Sequence, residues 1–94
     1  MTNEKKRDKL KIIYDMLNVI KEKGGKIKPT HLMYKANLSH IMMKDYLKEL
    51  FTMRFITEQV VKTNSYYIIT ERGLAFLNKY QSIVNFVESF GLDE

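Results

Sequence analysis

The chain has 94 residues and a mass of 11.2 kDa, enough for one domain with a modest core. Apolar residues make up 45% and charged residues 29%, a composition that folds, and the lack of cysteine excludes a disulfide framework, a thiolate zinc site and a cysteine nucleophile. Sixteen Lys and Arg against eleven Asp and Glu leave a net charge of +5, which suggests a polyanionic partner.

The basic surplus is confined to the first third. Residues 1–35 carry ten Lys or Arg and four acids, whereas residues 36–94 carry six and seven. Lys5, Lys6 and Arg7 are not followed by an apolar run, so a secretory signal is not expected, nor is a spanning helix, and the expected location is cytoplasmic. Residues 8–23 have helical periodicity. Leu10, Ile13, Leu17 and Ile20 form one stripe, with Ile12, Met16 and Val19 beside it, an apolar arc wide enough to be covered on more than one side. Gly24-Gly25 ends this helix. Pro29 opens a short second helix that runs to Ala36, and Asn37-Leu38-Ser39 breaks it. Ser39 can cap a third helix through about Arg54, because its hydroxyl accepts a free backbone N–H. Two helices joined by so tight a polar turn predict a helix-turn-helix.

The period then changes. Residues 55–61 and 66–70 are rich in β-branched and aromatic residues, and the polar stretch 62–65 between them predicts a hairpin tip. Thr70 is placed to cap a last helix over residues 71–90. The order of helices and hairpin defines an α+β, mostly α, winged helix-turn-helix: three helices, a two-stranded wing and a C-terminal helix. It forms a single domain over residues 1–94, with the helix-turn-helix and wing in 8–70.

Three strings carry a family resemblance: Met33-Tyr34-Lys35-Ala36-Asn37-Leu38-Ser39, Tyr46-Leu47-Lys48-Glu49-Leu50, and Tyr67-Ile68-Ile69-Thr70-Glu71-Arg72-Gly73. Over roughly residues 10–90 the chain resembles small archaeal winged-helix DNA-binding proteins, of the dimeric ten-kilodalton chromatin-protein type. The resemblance implies double-stranded DNA as a partner, nucleoid association, and a homodimer held by an antiparallel coiled coil of C-terminal helices. Two features depart from it: His31 stands where members often carry Arg, and the last helix ends early, at about Phe90.

In a helix-turn-helix the second helix enters the major groove, with its first turns at the base edges. A wheel started at Ser39 puts Met42, Tyr46, Leu50 and Met53 on the core side. It puts His40, Lys44 and Lys48 on the opposite side, with Met43 at its edge. Ser39, His40, Met43, Lys44 and Lys48 are therefore the candidate groove contacts. Lys28, Thr30, His31 and Lys35 are positioning contacts to phosphate, and Lys62 and Asn64 stand at the wing tip. The face lacks the Arg, Asn and Gln that read bases bidentately, so phosphate contacts should dominate and sequence preference should be weak.

Phe76, Tyr80, Ile83, Val87 and Phe90 follow the 4-3-4-3 spacing of a short coiled-coil seam, with Val84 beside it. These six are the candidate dimer interface. The early turns of the same helix, through Leu74 and Leu77, can pack back on the first helix.

Catalytic readings find no footing. His31 and His40 lie on different predicted helices without carboxylates at ligand spacing, so no metal is expected. Ser39, His40 and Asp45 share one short helix and cannot form a triad. Gly24-Gly25 lacks the Lys-Ser/Thr of a phosphate loop, so no cofactor is expected. Two DNA-binding roles stay open, transcriptional regulator and chromatin-associated protein. The alternative from another class is a protein-interaction adaptor that does not bind DNA.

Overall fold

The computed structural model describes residues 7–91. Lys5 and Lys6, counted above in the basic N-terminal segment, lie outside them. The elements are α1 (Lys9–Glu22), β1 (Lys26–Ile27), α2 (Pro29–Lys35), α3 (His40–Thr52), β2 (Ile56–Val61), β3 (Asn64–Ile69) and α4 (Glu71–Ser89).

Local chemistry places most of their ends. The Asp8 carboxylate accepts the Lys11 amide at 2.8 Å and caps α1. The Ser39 hydroxyl accepts the Met42 amide at 3.1 Å and caps α3. Between α2 and α3 the chain reverses through Asn37 at φ 58, a left-handed conformation that Asn tolerates better than most residues. Gly24 and Gly25, at φ 84 and 94, turn the chain out of α1.

The sheet has three strands in the order β1-β3-β2, not the two of the hairpin alone. Lys26 pairs with Ile68 and Ile27 with Tyr67, antiparallel. A two-residue strand, within the three residues that separate the glycine pair from Pro29, is too short to show alternation, so it has no signal in sequence. The hairpin is also tighter than expected. Asn64 and Ser65 belong to β3, paired with Val61 and Val60, which leaves Lys62-Thr63 as the turn. Lys62 takes φ 59 there.

Helix α1 is the centre of the core. Ile12, Ile13, Met16, Leu17 and Ile20 are all buried, so both of its stripes are covered, although Leu10 at its first turn is exposed. Around it pack Leu32 and Ala36 of the α2 region, Leu38 of the turn, Met43 and Leu50 of α3, Ile27, Phe55 and Ile56 of the sheet side, and Leu77 of α4.

Helix α3 departs from the wheel drawn from Ser39 at two positions. Leu50 is fully buried and half-buried Met42 and Tyr46 pack against the core as that wheel expects, with Leu47 beside them, but Met43 is only 7% exposed and Met53 is exposed. Met43 is therefore a core residue and not a groove contact. Met43, Leu47 and Leu50 stand at i, i+4 and i+7, the spacing of a helix face. The adjacent pair Met42-Met43 hides this, because either methionine can begin an apolar stripe.

The string from Tyr67 to Gly73 has a structural task. The Thr70 hydroxyl donates to the Arg54 carbonyl at 2.7 Å and accepts the Gly73 amide at 3.1 Å, capping α4. The Thr70 amide donates to the Phe55 carbonyl at 2.9 Å. A Cβ at position 73 would lie 2.5 Å from that same carbonyl oxygen and 2.7 Å from Ile69 Cγ1. Glycine is thus required where α4 leaves the sheet, although it is a poor helix former. Gly73→Ala should destabilise the fold by about 1–3 kcal/mol despite its better helix propensity. Urea unfolding checks this; a midpoint equal to or above that of the parent would contradict the close approach.

Candidate nucleic-acid interface

Elementary electrostatics sorts the basic residues into two groups. Some are consumed within the fold. Arg7 donates to the Asp15 carboxylate at 2.8 Å and also to the carbonyls of Ala36 and Asn37, both at 2.9 Å. Its guanidinium therefore ties the start of the domain to the turn between α2 and α3. Lys11 pairs with the other Asp15 oxygen at 2.8 Å, and Lys9 reaches Glu49 of α3 at 3.4 Å. Part of the N-terminal surplus thus holds α3 and its turn in place.

The others face outward. Lys44 and Lys48 are exposed on α3 and take part in no ion pair among the described residues; His40 and Ser39 are exposed beside them at the first turn. Ser39 spends an acceptor lone pair on the Met42 amide, which leaves its hydroxyl proton free to donate. On α2, Thr30, His31 and Lys35 are exposed, and His31 and Lys35 line a surface recess with Tyr34 and Lys23. Lys62 and Asn64 are exposed at the end of the wing. Lys28 sits apart from α3: its ammonium lies 6.0 Å from the ring centre of Tyr66, and that of Lys26 lies 4.7 Å from the same ring. The pairing of Lys26 with Ile68 and of Gln59 with Tyr66 puts these groups on the outer face of the sheet. Its inner face turns Ile27, Ile56 and Tyr67 to the helices. Tyr67 meets Phe51 of α3 edge-on at 5.7 Å, and burial followed by the nearby Glu58 charge pushes its phenol above the ordinary range.

The candidate interface residues of α4 divide in the same way. Phe76 is half-buried within its own protomer, 5.1 Å from the Phe55 ring, and Tyr80 stacks on Tyr14 at 4.6 Å. The Tyr14 hydroxyl donates to Gln81 at 2.9 Å. Burial, then Asp8, Asp15 and Tyr14 against the opposing Lys11, raises the Tyr80 phenol. Beyond Tyr80 the cover ends. Ile83, Phe86 and Phe90 are 63%, 60% and 65% exposed, and Tyr80, Ile83, Val84 and Val87 line an apolar groove.

Two features of this candidate face escape sequence reasoning. The Arg7 clamp joins positions 29 and 30 residues apart, a separation that leaves no local signal. Ile41 is 74% exposed on α3, next to His40 and Lys44. The spacing of Met43, Leu47 and Leu50 would have found it, since that stripe leaves Ile41 on the far side.

With the fold and this face described, comparison with known proteins agrees on class. The winged helix-turn-helix family matches residues 6–88, and the chain belongs to that family. It is similar to the solved structure of Sso10a-2, a DNA-binding protein from Sulfolobus solfataricus, at TM-score 0.77 and 20% identity, over 89% of this chain and 85% of that one. It also resembles F93 from STIV, a winged-helix DNA-binding protein, at TM-score 0.69 and 14% identity, over 76% and 84%. A relative in Methanocaldococcus jannaschii, an uncharacterized protein, is 33% identical over 82 residues, which are 87% of this chain. The chain spans 36% of that relative's length. Together these define a winged helix-turn-helix domain. Among the described residues, no helix is long and apolar enough to cross a membrane.

Proposed function

We propose that the chain is a non-catalytic DNA-binding protein that works as a homodimer. Helix α3 enters the major groove, and the wing lies on the backbone or in the adjacent minor groove. The observation that carries this reading is the outward Lys44 and Lys48 on the second helix of a helix-turn-helix, neither in an ion pair among the described residues. His40, Ser39 and the α3 N-terminus extend the phosphate contacts, and Thr30, His31 and Lys35 add positioning contacts from α2. Lys28, on the outer sheet face, is a weaker contact. The neighbours named above as DNA-binding proteins support the same reading.

Between the two DNA-binding roles, the absence of Arg, Asn and Gln from α3 favours phosphate-dominated binding and so a chromatin-associated, nucleoid role. A MarR family transcriptional regulator from Silicibacter pomeroyi has the same fold at TM-score 0.70 and 13% identity, which keeps the regulator role as the second reading.

The dimer follows from the exposed end of α4. Ile83, Phe86 and Phe90 form an apolar surface that water does not favour, continuous with the groove at Val84 and Val87. A second α4 laid antiparallel covers it by a two-fold contact and presents two α3 helices.

Mobility shifts on unrelated duplexes at several salt concentrations test the DNA reading. With about four to six phosphates neutralised per protomer, log K should fall against log salt with a slope of about −4 to −5. Lys44→Glu with Lys48→Glu should cost at least about tenfold in affinity with an unchanged circular dichroism spectrum. No shift at low salt, or full affinity in the double variant, would favour the adaptor or another face. For assembly, sedimentation should give a dimer for the parent chain and a monomer for Ile83→Glu with Val87→Glu; a monomeric parent would remove the dimer.

A further inference from the structure

Ile41 is the most exposed large aliphatic side chain among the described residues, 74% accessible. At about 100° per residue it stands about 180° from Leu50, so it points directly away from the core. It is the second residue of α3, in the turn whose side chains reach base edges in this architecture. His40 precedes it and Lys44 follows one turn later, both exposed. A large aliphatic group here gains nothing from the protein's own fold.

The major groove offers one apolar feature among its donors and acceptors, the C5-methyl group of thymine. Lys44 and Lys48, exposed on the same side of α3, favour the phosphates beside such a contact, while Asp45, one turn from Ile41, is the acid among them. Helix α3 carries no Arg, Asn or Gln, so among its exposed side chains Ile41 is the one suited to this methyl group, beside any hydrogen bonds that Lys44 and Lys48 make to base edges. We propose that Ile41 reads thymine, packing its side chain on the C5-methyl group and giving the protein a preference for thymine under the first turn of α3. This rests on the DNA reading above and refines it, since binding led by phosphates then carries a bias toward A·T pairs.

Replacing thymine by deoxyuridine removes the methyl group and leaves base pairing and phosphate charge in place. The full chain is titrated by fluorescence anisotropy into an A·T-rich duplex and into the same duplex with every dT replaced by dU, at one salt concentration. The dU duplex should bind about fourfold more weakly for each methyl group contacted. Ile41→Ala should bind both duplexes equally, with the parent's salt slope and melting temperature, because position 41 is exposed. Ile41→Val should retain part of the difference, and Lys44→Ala should weaken both duplexes together while keeping their ratio. Equal binding of dT and dU duplexes by the parent overturns the inference and leaves DNA binding intact. A full difference persisting in Ile41→Ala overturns it too, by assigning the methyl group to another side chain. Failure to bind either duplex removes the underlying reading instead.

Discussion

The rotation of α3 about its own axis governs what this protein offers a partner. A helix with Met42, Met43, Tyr46, Leu47 and Leu50 toward one side and Ile41 on the other has two apolar options, and only one can be buried. Burying a side chain of this size is worth about 1.5–3 kcal/mol, so the face with several such groups outweighs the face with one. The alternative rotation would also press Lys44 and Lys48 into the core, where an unpaired charge is very costly. The wide apolar arc of α1 receives the favoured face, and Ile41, Lys44 and Lys48 are left outside as a consequence of packing elsewhere.

The turn before α3 is held just as firmly. Asn37 takes the left-handed conformation, Ala36 and Leu38 on either side of it are buried, and Arg7 bonds the carbonyls of Ala36 and Asn37 from across the chain. At the other end, Lys9 reaches Glu49. Opposite charges near the surface contribute modestly to stability, but a bidentate guanidinium fixes geometry. The basic N-terminal third therefore does two jobs. Arg7 and Lys9 tie α1 and the residue before its cap to the turn and to α3, Lys11 supports the Asp15 carboxylate that Arg7 uses, and Lys35 leaves its charge facing outward on α2.

Much of this was legible in sequence. The caps Ser39 and Thr70, the Gly24-Gly25 stop, the Pro29 start and the change of period at Phe55 all act through neighbours close in the chain, and they placed four helices and a hairpin in the right order. What stayed hidden depends on partners far away. Strand β1 exists only because β3 passes beside Lys26 and Ile27. The close approach at Gly73 depends on the Phe55 carbonyl, and the Arg7 clamp on the turn after Ala36. The candidate face was legible as a helix: Lys44 and Lys48 are exposed on it as the wheel expects, Met43 lies in the core instead, and Ile41, which the wheel leaves unassigned, is exposed.

The central claim is that the side of α3 facing away from Leu50 is the surface that meets duplex DNA. Titrating a short duplex into isotopically labelled protein and following backbone amide shifts by NMR tests it residue by residue. The account predicts the largest shifts across residues 39–48, with smaller ones at Lys62 and Asn64 on the wing. Shifts centred on Tyr66 and Lys26 of the outer sheet face, or on residues 83–90 of α4, with α3 unmoved, would contradict it.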